Sequence, residues 1–203
     1  MATLTPAEIE DRLIRALALP GNDSSDFDLN PDVPRADDRV LRNAGVLVAL
    51  DLTTSAPTVI LTKRSARLRH HPGQISFPGG KQDPGDPSPA AAALREAQEE
   101  VALPPRAVRI LGHLPAHETV TGFRVTPVLG LIESPVTLIP EAGEVEEIFR
   151  VPFAFVADPA NFRVEGRRWQ GRRRYYYVLP WGPSYIWGAT GRILRALAER
   201  LAR

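Results

Sequence analysis

The chain has no cysteine among its 203 residues. Disulfide bonds, thiolate nucleophiles and cysteine-based zinc sites are therefore excluded. No run approaches the roughly 18 apolar residues of a membrane-spanning helix, and the first residues, MATLTPAEIEDRL, lack the apolar core of a signal peptide. Because the formal net charge is only +1, the chain as a whole has no electrostatic bias toward nucleic acid or membrane. These absences favour a soluble, cytoplasmic protein.

The length suggests one domain with an extension before it. Residues 5–18, TPAEIEDRLIRALA, predict an amphipathic helix in which Thr5 and Glu8 form a capping box. Its apolar face is predicted to contain Ile9, Leu13, Ile14 and Leu17. A loop rich in Pro, Asp, Asn and Ser follows as far as residue 39. We therefore divide the chain into a helix-and-loop extension, residues 1–39, and a main domain, residues 40–203.

The main domain contains several β-branched runs that predict strands: AGVLVAL (44–50), TVILTKR (58–64), AVRILGHL (107–114) and RVTPVLGLI (124–132). We expect the first two to pair as a hairpin or meander. The segment NFRVEGRRWQGRRRYYYVL predicts a second hairpin with its turn near Gly171, and GATGRILRALAERLA predicts a C-terminal helix. Because strands outnumber helices and the helices lie between groups of strands, a mixed-sheet α/β or α+β sandwich is predicted.

Three glutamates crowd the end of one predicted helix, residues 89–102, which Ser88 and Pro89 are expected to start. Its small apolar face is predicted to contain Ala90, Ala93, Leu94, Ala97 and Val101. Like charges one turn apart, as at Glu96 and Glu100, destabilise a helix by roughly 0.2–0.5 kcal/mol. A solvated acidic face is the simplest explanation of this cluster. The alternative is a divalent cation, because Mg²⁺ prefers carboxylate oxygens.

The segment GGKQDPGDPSPAAAALREAQEEVAL resembles the Nudix box. Its core, REAQEE, matches at each fixed position: Arg95, Glu96, Glu99 and Glu100. There are three departures: the spacer after Gly80 is one residue longer than usual, Asp86 stands where the family has glutamate, and Ala102 replaces a glycine after the helix.

The resemblance implies a Nudix-type α/β/α sandwich with a mixed sheet. It also implies hydrolysis of a nucleoside diphosphate linked to a second moiety, assisted by Mg²⁺ or Mn²⁺. By position, the implied metal ligands are Glu96, Glu100, Glu99 and the carbonyl of Gly80. Arg95 is expected to hold a glutamate in place.

The preceding segment, ILTKRSARLRHHPGQISFPGG (60–80), resembles the signature of coenzyme A diphosphatases within the Nudix superfamily. The matching residues are Thr62, Arg64, Ser65, Arg69, Gly73, Phe77, Pro78, Gly79 and Gly80. A spacer that is one residue longer after this glycine is also typical of this subfamily. Coenzyme A carries a diphosphate and a 3′-phosphate, and Lys63, Arg64 and Arg69 supply cations suited to them. A solvated basic loop is the alternative, and His70 with His71 lacks a third nitrogen ligand for a transition metal.

Two downstream segments, ETVTGFRVTPVLGLI and SYIWGATGRIL, are similar to segments of the same subfamily. On this basis we expect Thr121, Gly122 and Phe123 to line the substrate cleft, although a glycine beside an aromatic residue is equally typical of a plain turn. The basic stretch RRWQGRRRYYY (167–177) is compatible with RNA or phosphate binding. A solvated hairpin with alternating inward tyrosines is the interpretation that we favour.

The function predicted from these resemblances is metal-dependent hydrolysis of coenzyme A, or its derivatives, to 4′-phosphopantetheine and adenosine 3′,5′-diphosphate. The general base is left open between Glu99 and Glu144, with Glu141 and Glu147 as nearby competitors. The expected partner is a small-molecule, coenzyme A-like nucleotide, with no nucleic acid or membrane. The alternatives are a Nudix hydrolase of ADP-ribose, dinucleotides or nucleoside triphosphates, and a Nudix module that binds a nucleotide without turnover.

Overall fold

The structure is a computed structural model that describes residues 4–35, 39–169 and 171–203. Its helices are α1 (Pro6–Ala18), α2 (Pro89–Val101), α3 (Phe153–Val156) and α4 (Gly188–Leu201). Its strands are β1 (Ser24–Ser25), β2 (Arg42–Asp51), β3 (Thr58–Arg64), β4 (Ile75–Ser76), β5 (Gly79–Lys81), β6 (Val108–His113), β7 (His117–Glu118), β8 (Phe123–Ile132), β9 (Val145–Pro152), β10 (Arg163–Trp169), β11 (Arg172–Trp181) and β12 (Ser184–Trp187).

The central sheet is mixed, as predicted. β2 and β8 run parallel in register along their whole length, from Arg42 opposite Phe123 to Asp51 opposite Ile132. β3, β5 and β6 join this pair in antiparallel fashion, and β9 extends the sheet beyond β3. A separate three-stranded sheet is formed by β10, β11 and β12. The predicted hairpin near Gly171 is therefore present, although residue 170 of its turn lies outside the described residues.

Helices cover both faces of the central sheet, which confirms the α/β/α sandwich. One apolar cluster joins α2 to the sheet and includes Leu47, Ile60, Ala93, Ala97, Val101, Val128 and Ile132. The larger cluster, on the other face, joins α1, α3 and α4 to the sheet and includes Ile9, Leu13, Val48, Leu61, Leu129, Leu194 and Leu197. Within the described ranges no helix is both long and apolar enough to span a bilayer.

The N-terminal helix forms as predicted, with a capping box between Thr5 and Glu8. Ile14, which was assigned to the apolar face of this helix, is 48% exposed. α1 rests on the domain along the narrow line of Ile9, Leu13 and Ala16, and Ile14 lies beside that line. The predicted loop that follows is described except for residues 36–38, and it contains the short strand β1, which pairs with β7.

The first predicted hairpin forms only at its closed end. β2 and β3 pair at Leu50 with Val59 and at Asp51 with Thr58. Farther along β2, the antiparallel neighbour is β5 at Ala44 to Val46. β5, which carries Gly79 and Gly80, therefore lies beside β2 on the part of the sheet against which the glutamate helix packs.

The glutamate helix α2 begins at the predicted cap, Ser88, and ends on Ala102 in the left-handed conformation, with φ of 54°. A side chain in this conformation costs about 1 kcal/mol, so Ala102→Gly is expected to raise the free energy of unfolding by about 0.5–1 kcal/mol. Urea denaturation measures this change. Ala196→Gly, within α4, is the control and is expected to lower stability by about 1 kcal/mol. A loss of stability at both positions would contradict the prediction.

Candidate active site

Two glycines let the sheet approach the glutamate helix. Gly80 of β5 lies opposite Gly45 of β2. A Cβ atom on Gly45 would lie 1.9 Å from the carbonyl oxygen of Pro89, and one on Gly80 would lie 2.4 Å from the carboxyl carbon of Glu96. No other residue type fits at either position without displacement. The backbone of β5 is thereby brought against the carboxylate of Glu96.

Glu100 is a buried carboxyl group, with only 4% of its side chain exposed. The backbone N–H of Gly79 donates a hydrogen bond to its Oε2 at 3.1 Å, and the guanidinium of Arg64 lies 3.7 Å from its Oε1. Burial raises the pKa of Glu100 to about 7, and the nearby charges of Glu96 and Glu144 add to this rise, while Gly79 and Arg64 oppose it. Burial therefore destabilises the ionised carboxylate of Glu100, and a bound cation would offset this destabilisation.

Arg95 gathers the acidic side chains around the outer edge of α2. Its guanidinium donates to both oxygens of Asp86, at 3.2 and 2.9 Å, and to Oε2 of Glu99 at 2.9 Å. It also lies 3.0 Å from Oε1 of Glu96 and donates to the carbonyl of Lys81 at 3.2 Å. Asp86 therefore ties the long spacer to the helix, so this departure from the Nudix box preserves a supporting contact.

The donor chemistry of this cluster fits a hard divalent cation. Burial raises the pKa of Glu96, and the charges of Glu99 and Glu144 raise it further, against the opposing effect of Arg95. Carboxylate oxygens held together in this way, beside the backbone of Gly80, are the ligands that Mg²⁺ prefers. Among the residues that the structure describes, however, no group of three or more acidic or histidine side chains is already arranged to bind a metal ion. Arg95 is paired with Oε1 of Glu96 and Oε2 of Glu99, so a cation bound by these carboxylates would use their other oxygens.

The three later glutamates that compete as general base have different surroundings. The carboxylate of Glu141 accepts backbone N–H groups of its own turn, from Gly143 at 2.9 Å and Glu144 at 2.8 Å. Glu147 lies opposite Lys63 in the β3–β9 ladder. Glu144 is the one whose charge reaches both Glu96 and Glu100. The electrostatic effect of Glu144 on these two carboxyl groups therefore favours it over Glu141 and Glu147.

The signature loop, residues 65–74, connects β3 to β4. Its base is closed by two backbone hydrogen bonds: the N–H of Arg64 donates to the carbonyl of Gln74, and the N–H of Gly73 donates to the carbonyl of Arg64. The Oγ of Ser65 accepts the N–H of Arg67. Thr62, also part of the signature, is buried and donates to the carbonyl of Ser76. These two hydroxyl residues shape the loop, a role that the sequence pattern alone did not reveal.

The cations of this region are placed differently from one another. Arg64 faces Glu100, and Arg69, with His70 and His71, is exposed on the signature loop. Lys63 forms an ion pair with Glu146 at 2.6 Å. Glu146 was not recognised from the sequence, and no local motif could have identified it, because the pairing depends on the register of β3 and β9.

The turn of Thr121, Gly122 and Phe123 is hydrogen-bonded to Thr119 and Arg42. Gly122 has φ of 86°, as a turn requires, and the ring of Phe123 packs against the larger apolar cluster, on the sheet face opposite α2. The guanidinium of Arg42 lies 4.0 Å from the centre of that ring. A role for this turn in a substrate cleft stays a prediction.

The arginine-rich hairpin places like charges opposite one another, Arg167 with Arg174 and Arg168 with Arg173. Tyr175 is 42% exposed, whereas Tyr176 and Tyr177 are half-buried. The tyrosines are therefore only partly inward. The hairpin belongs to the second sheet, which packs with α4 through Tyr177 and Arg192.

Comparison with known proteins gives the family. Residues 41–171 match the model of the NUDIX domain, which is well over half of the chain. The chain belongs to the Nudix family. Nudix hydrolases generally use a divalent metal ion such as Mg²⁺ or Mn²⁺.

Similar proteins include two that bear the name uncharacterized Nudix hydrolase NudL. That of Pectobacterium atrosepticum is 44% identical over 164 residues, 79% of this chain and 83% of the relative. That of Cronobacter sakazakii is 41% identical over 160 residues, with the same shares. Among solved structures, the MutT protein of Methanosarcina mazei has a TM-score of 0.53 at 18% identity and covers 83% of this chain and 97% of its own. That likeness is one of fold.

Proposed function

We propose that this Nudix hydrolase cleaves the diphosphate linkage of coenzyme A or its derivatives, giving 4′-phosphopantetheine and adenosine 3′,5′-diphosphate. The observation that carries the proposal is the 3.7 Å approach of Arg64 to Glu100. It joins the loop that resembles the coenzyme A signature to the helix that resembles the metal-binding Nudix helix. A substrate diphosphate bound at the helix would have the cations of this loop beside it.

In this proposal the catalytic unit is residues 40–203, and it acts in the cytoplasm on a small-molecule nucleotide, without nucleic acid or membrane. When bound, Mg²⁺ or Mn²⁺ would neutralise negative charge on the phosphate oxygens and lower the pKa of a coordinated water. Glu96, Glu100, Glu99 and the carbonyl of Gly80 would hold the cation. Arg95 would position Glu96 and Glu99 through the ion pairs that it already makes.

The remaining residues would act on the substrate and the proton. Arg64 and Arg69, with Lys63 once it is released from Glu146, would bind phosphate oxygens, for which the planar fork of arginine is suited. The proton of the attacking water would pass to a carboxylate, and Glu144 and Glu99 are the two candidates. Thr121, Gly122 and Phe123 are retained as expected cleft residues on the strength of the resemblance.

We expect purified protein with Mg²⁺ to release adenosine 3′,5′-diphosphate from coenzyme A faster than it cleaves ADP-ribose or a dinucleotide. Arg69→Ala is expected to lower kcat/KM for coenzyme A about 10–100-fold, because one charge-assisted hydrogen bond to phosphate is worth about 1.5–3 kcal/mol. Product formation is followed by ion-exchange chromatography. Arg106→Ala, outside the signature loop, is the matched control. Cleavage of ADP-ribose or a dinucleotide alone would refute the substrate and retain the hydrolase, and Mg²⁺ binding without any turnover would favour a binding module.

A further inference from the structure

The turn before β9, residues 141–144, is attached directly to the glutamate helix. The backbone N–H of Glu141 donates to the carbonyl of Glu100 at 2.8 Å, and that of Ile139 donates to the carbonyl of Val101 at 3.0 Å. We call residues 141–144 the Glu141 turn. Its first residue is therefore fixed relative to Glu100 by the main chain, independently of any side chain.

The side chain of Glu141 organises the rest of the turn. Its Oε2 accepts the N–H groups of Gly143 and Glu144, at 2.9 and 2.8 Å. Its carbonyl accepts the N–H of Val145 at 2.8 Å and, at 3.1 Å, the same N–H of Glu144. Bonds from backbone amides to a carboxylate are stronger than neutral ones. A Cβ atom on Gly143 would lie only 3.0 Å from the same Oε2. The turn is thus shaped closely around this carboxylate.

The far end of the Glu141 turn is attached to the signature loop. The carbonyl of Glu144 accepts the N–H of Ser65 at 2.8 Å, and Ser65 is buried. Glu144 itself is exposed, and its negative charge contributes to raising the pKa of both Glu96 and Glu100. An exposed four-residue turn has few contacts of its own, so the orientation of Glu144 depends on the backbone hydrogen bonds of the turn and on the carboxylate of Glu141.

We propose that Glu141 is a positioning residue, which directs Glu144 toward the glutamate helix by binding the backbone amides of Gly143 and Glu144. This inference rests on the proposed hydrolase site, in which Glu144 acts. Glu141 itself touches neither substrate nor cation. Its carboxylate is committed to the turn, so it contributes by reducing the conformations that Glu144 can adopt.

The first test compares Glu141→Ala with Glu141→Asp. The alanine variant is expected to lower kcat for coenzyme A about 10-fold, with KM within 2-fold and the melting temperature within about 2 °C, because no buried side chain is lost. Aspartate can accept N–H groups two and three residues ahead and is expected to restore kcat to within about 3-fold of the native value. Glu133→Ala is the control, because Glu133 is exposed and its carboxylate pairs with Arg109. A failure of aspartate to rescue would overturn the proposal.

The second test is a double-mutant cycle. Glu144→Ala alone is expected to be slow, and adding Glu141→Ala to it is expected to change kcat less than 2-fold. Additive losses, or an unaffected Glu144→Ala, would overturn the positioning role. If the protein cleaves ADP-ribose or a dinucleotide in place of coenzyme A, the cycle is run on that substrate, so the two proposals fail separately.

A third measurement needs no substrate. Amide hydrogen exchange at Gly143, followed by NMR, is expected to accelerate at least 10-fold in Glu141→Ala, while exchange at Val101 within α2 is unchanged. Glu144 is expected to accelerate less, because its N–H also donates to the backbone carbonyl of residue 141. Equal exchange in the native protein and the variant would show that the carboxylate does not order the turn and would overturn the proposal.

Discussion

Glu100→Gln is expected to reduce hydrolysis roughly 10³-fold while making the metal-free protein more stable at pH 8. The loss of activity follows because a neutral amide is a much weaker ligand for a hard cation than a carboxylate, and several kcal/mol of charge stabilisation depend on that cation. The gain in stability follows from burial. Glu100 is 4% exposed, and the folded protein holds it with its pKa raised from 4.5 to about 7.

The pH dependence of this gain has a definite sign. Below about pH 4 both folded and unfolded chains carry the proton on Glu100, and above about pH 7 both have lost it. Between these values the folded state binds more protons than the unfolded state, so this group makes stability fall as the pH rises. Between pH 5 and pH 8 the loss amounts to about 2–3 kcal/mol. Glutamine does not titrate, so the variant should lack this loss.

Urea denaturation in EDTA at pH 5 and pH 8 measures the difference. The native protein should lose stability over this interval, and Glu100→Gln should lose about 2 kcal/mol less. Glu99→Gln is the matched control, because Glu99 is 59% exposed and on the same helix; it should leave the pH dependence nearly unchanged. Added Mg²⁺ should stabilise the native protein at pH 8 and have little effect on Glu100→Gln. Equal pH dependence in the native protein and Glu100→Gln would contradict the prediction.

The glutamate helix could be predicted from sequence because its signals are local. Ser88, Pro89 and the alanine face act over one or two turns, and the structure begins and ends the helix within one residue of the prediction. Ala102 was recognised as the replacement of a glycine that follows the helix in the Nudix box, and it does adopt a positive φ. Local rules also predicted α1, but not that Ile14 would remain exposed, because that depends on how the helix lies on the domain.

The surroundings of the glutamates could not be predicted, because they come from distant segments. Glu100 is buried beneath Gly79 and Arg64, which precede it by 21 and 36 residues, and its raised pKa is a consequence of that packing. Lys63 finds Glu146 only through the pairing of β3 with β9. The choice among Glu141, Glu144 and Glu147 likewise required the geometry of the turn before β9.

Gly80→Ala is expected to lower kcat/KM roughly 10²–10³-fold while changing the free energy of unfolding by less than about 1 kcal/mol. The added Cβ would overlap the carboxyl group of Glu96, 2.4 Å away, and that group is the end of a flexible side chain that can rotate aside. Gly80 is not among the described residues with positive φ, so its backbone tolerates alanine. The fold would survive, but Glu96 would leave the position from which it can bind a cation.

Two other glycines separate this effect from a general loss of structure. Gly45→Ala, at the facing position of β2, would place its Cβ 1.9 Å from a backbone oxygen of Pro89, and backbone cannot rotate aside. That variant is expected to lose about 3 kcal/mol or more of stability. Gly85→Ala, in the spacer, meets no atom within 4 Å and should leave both activity and stability unchanged. Steady-state kinetics and thermal denaturation of the three variants test the prediction. If Gly80→Ala retained full activity, the approach of β5 to Glu96 would be a packing feature, and the metal-binding role of this contact would have to be abandoned.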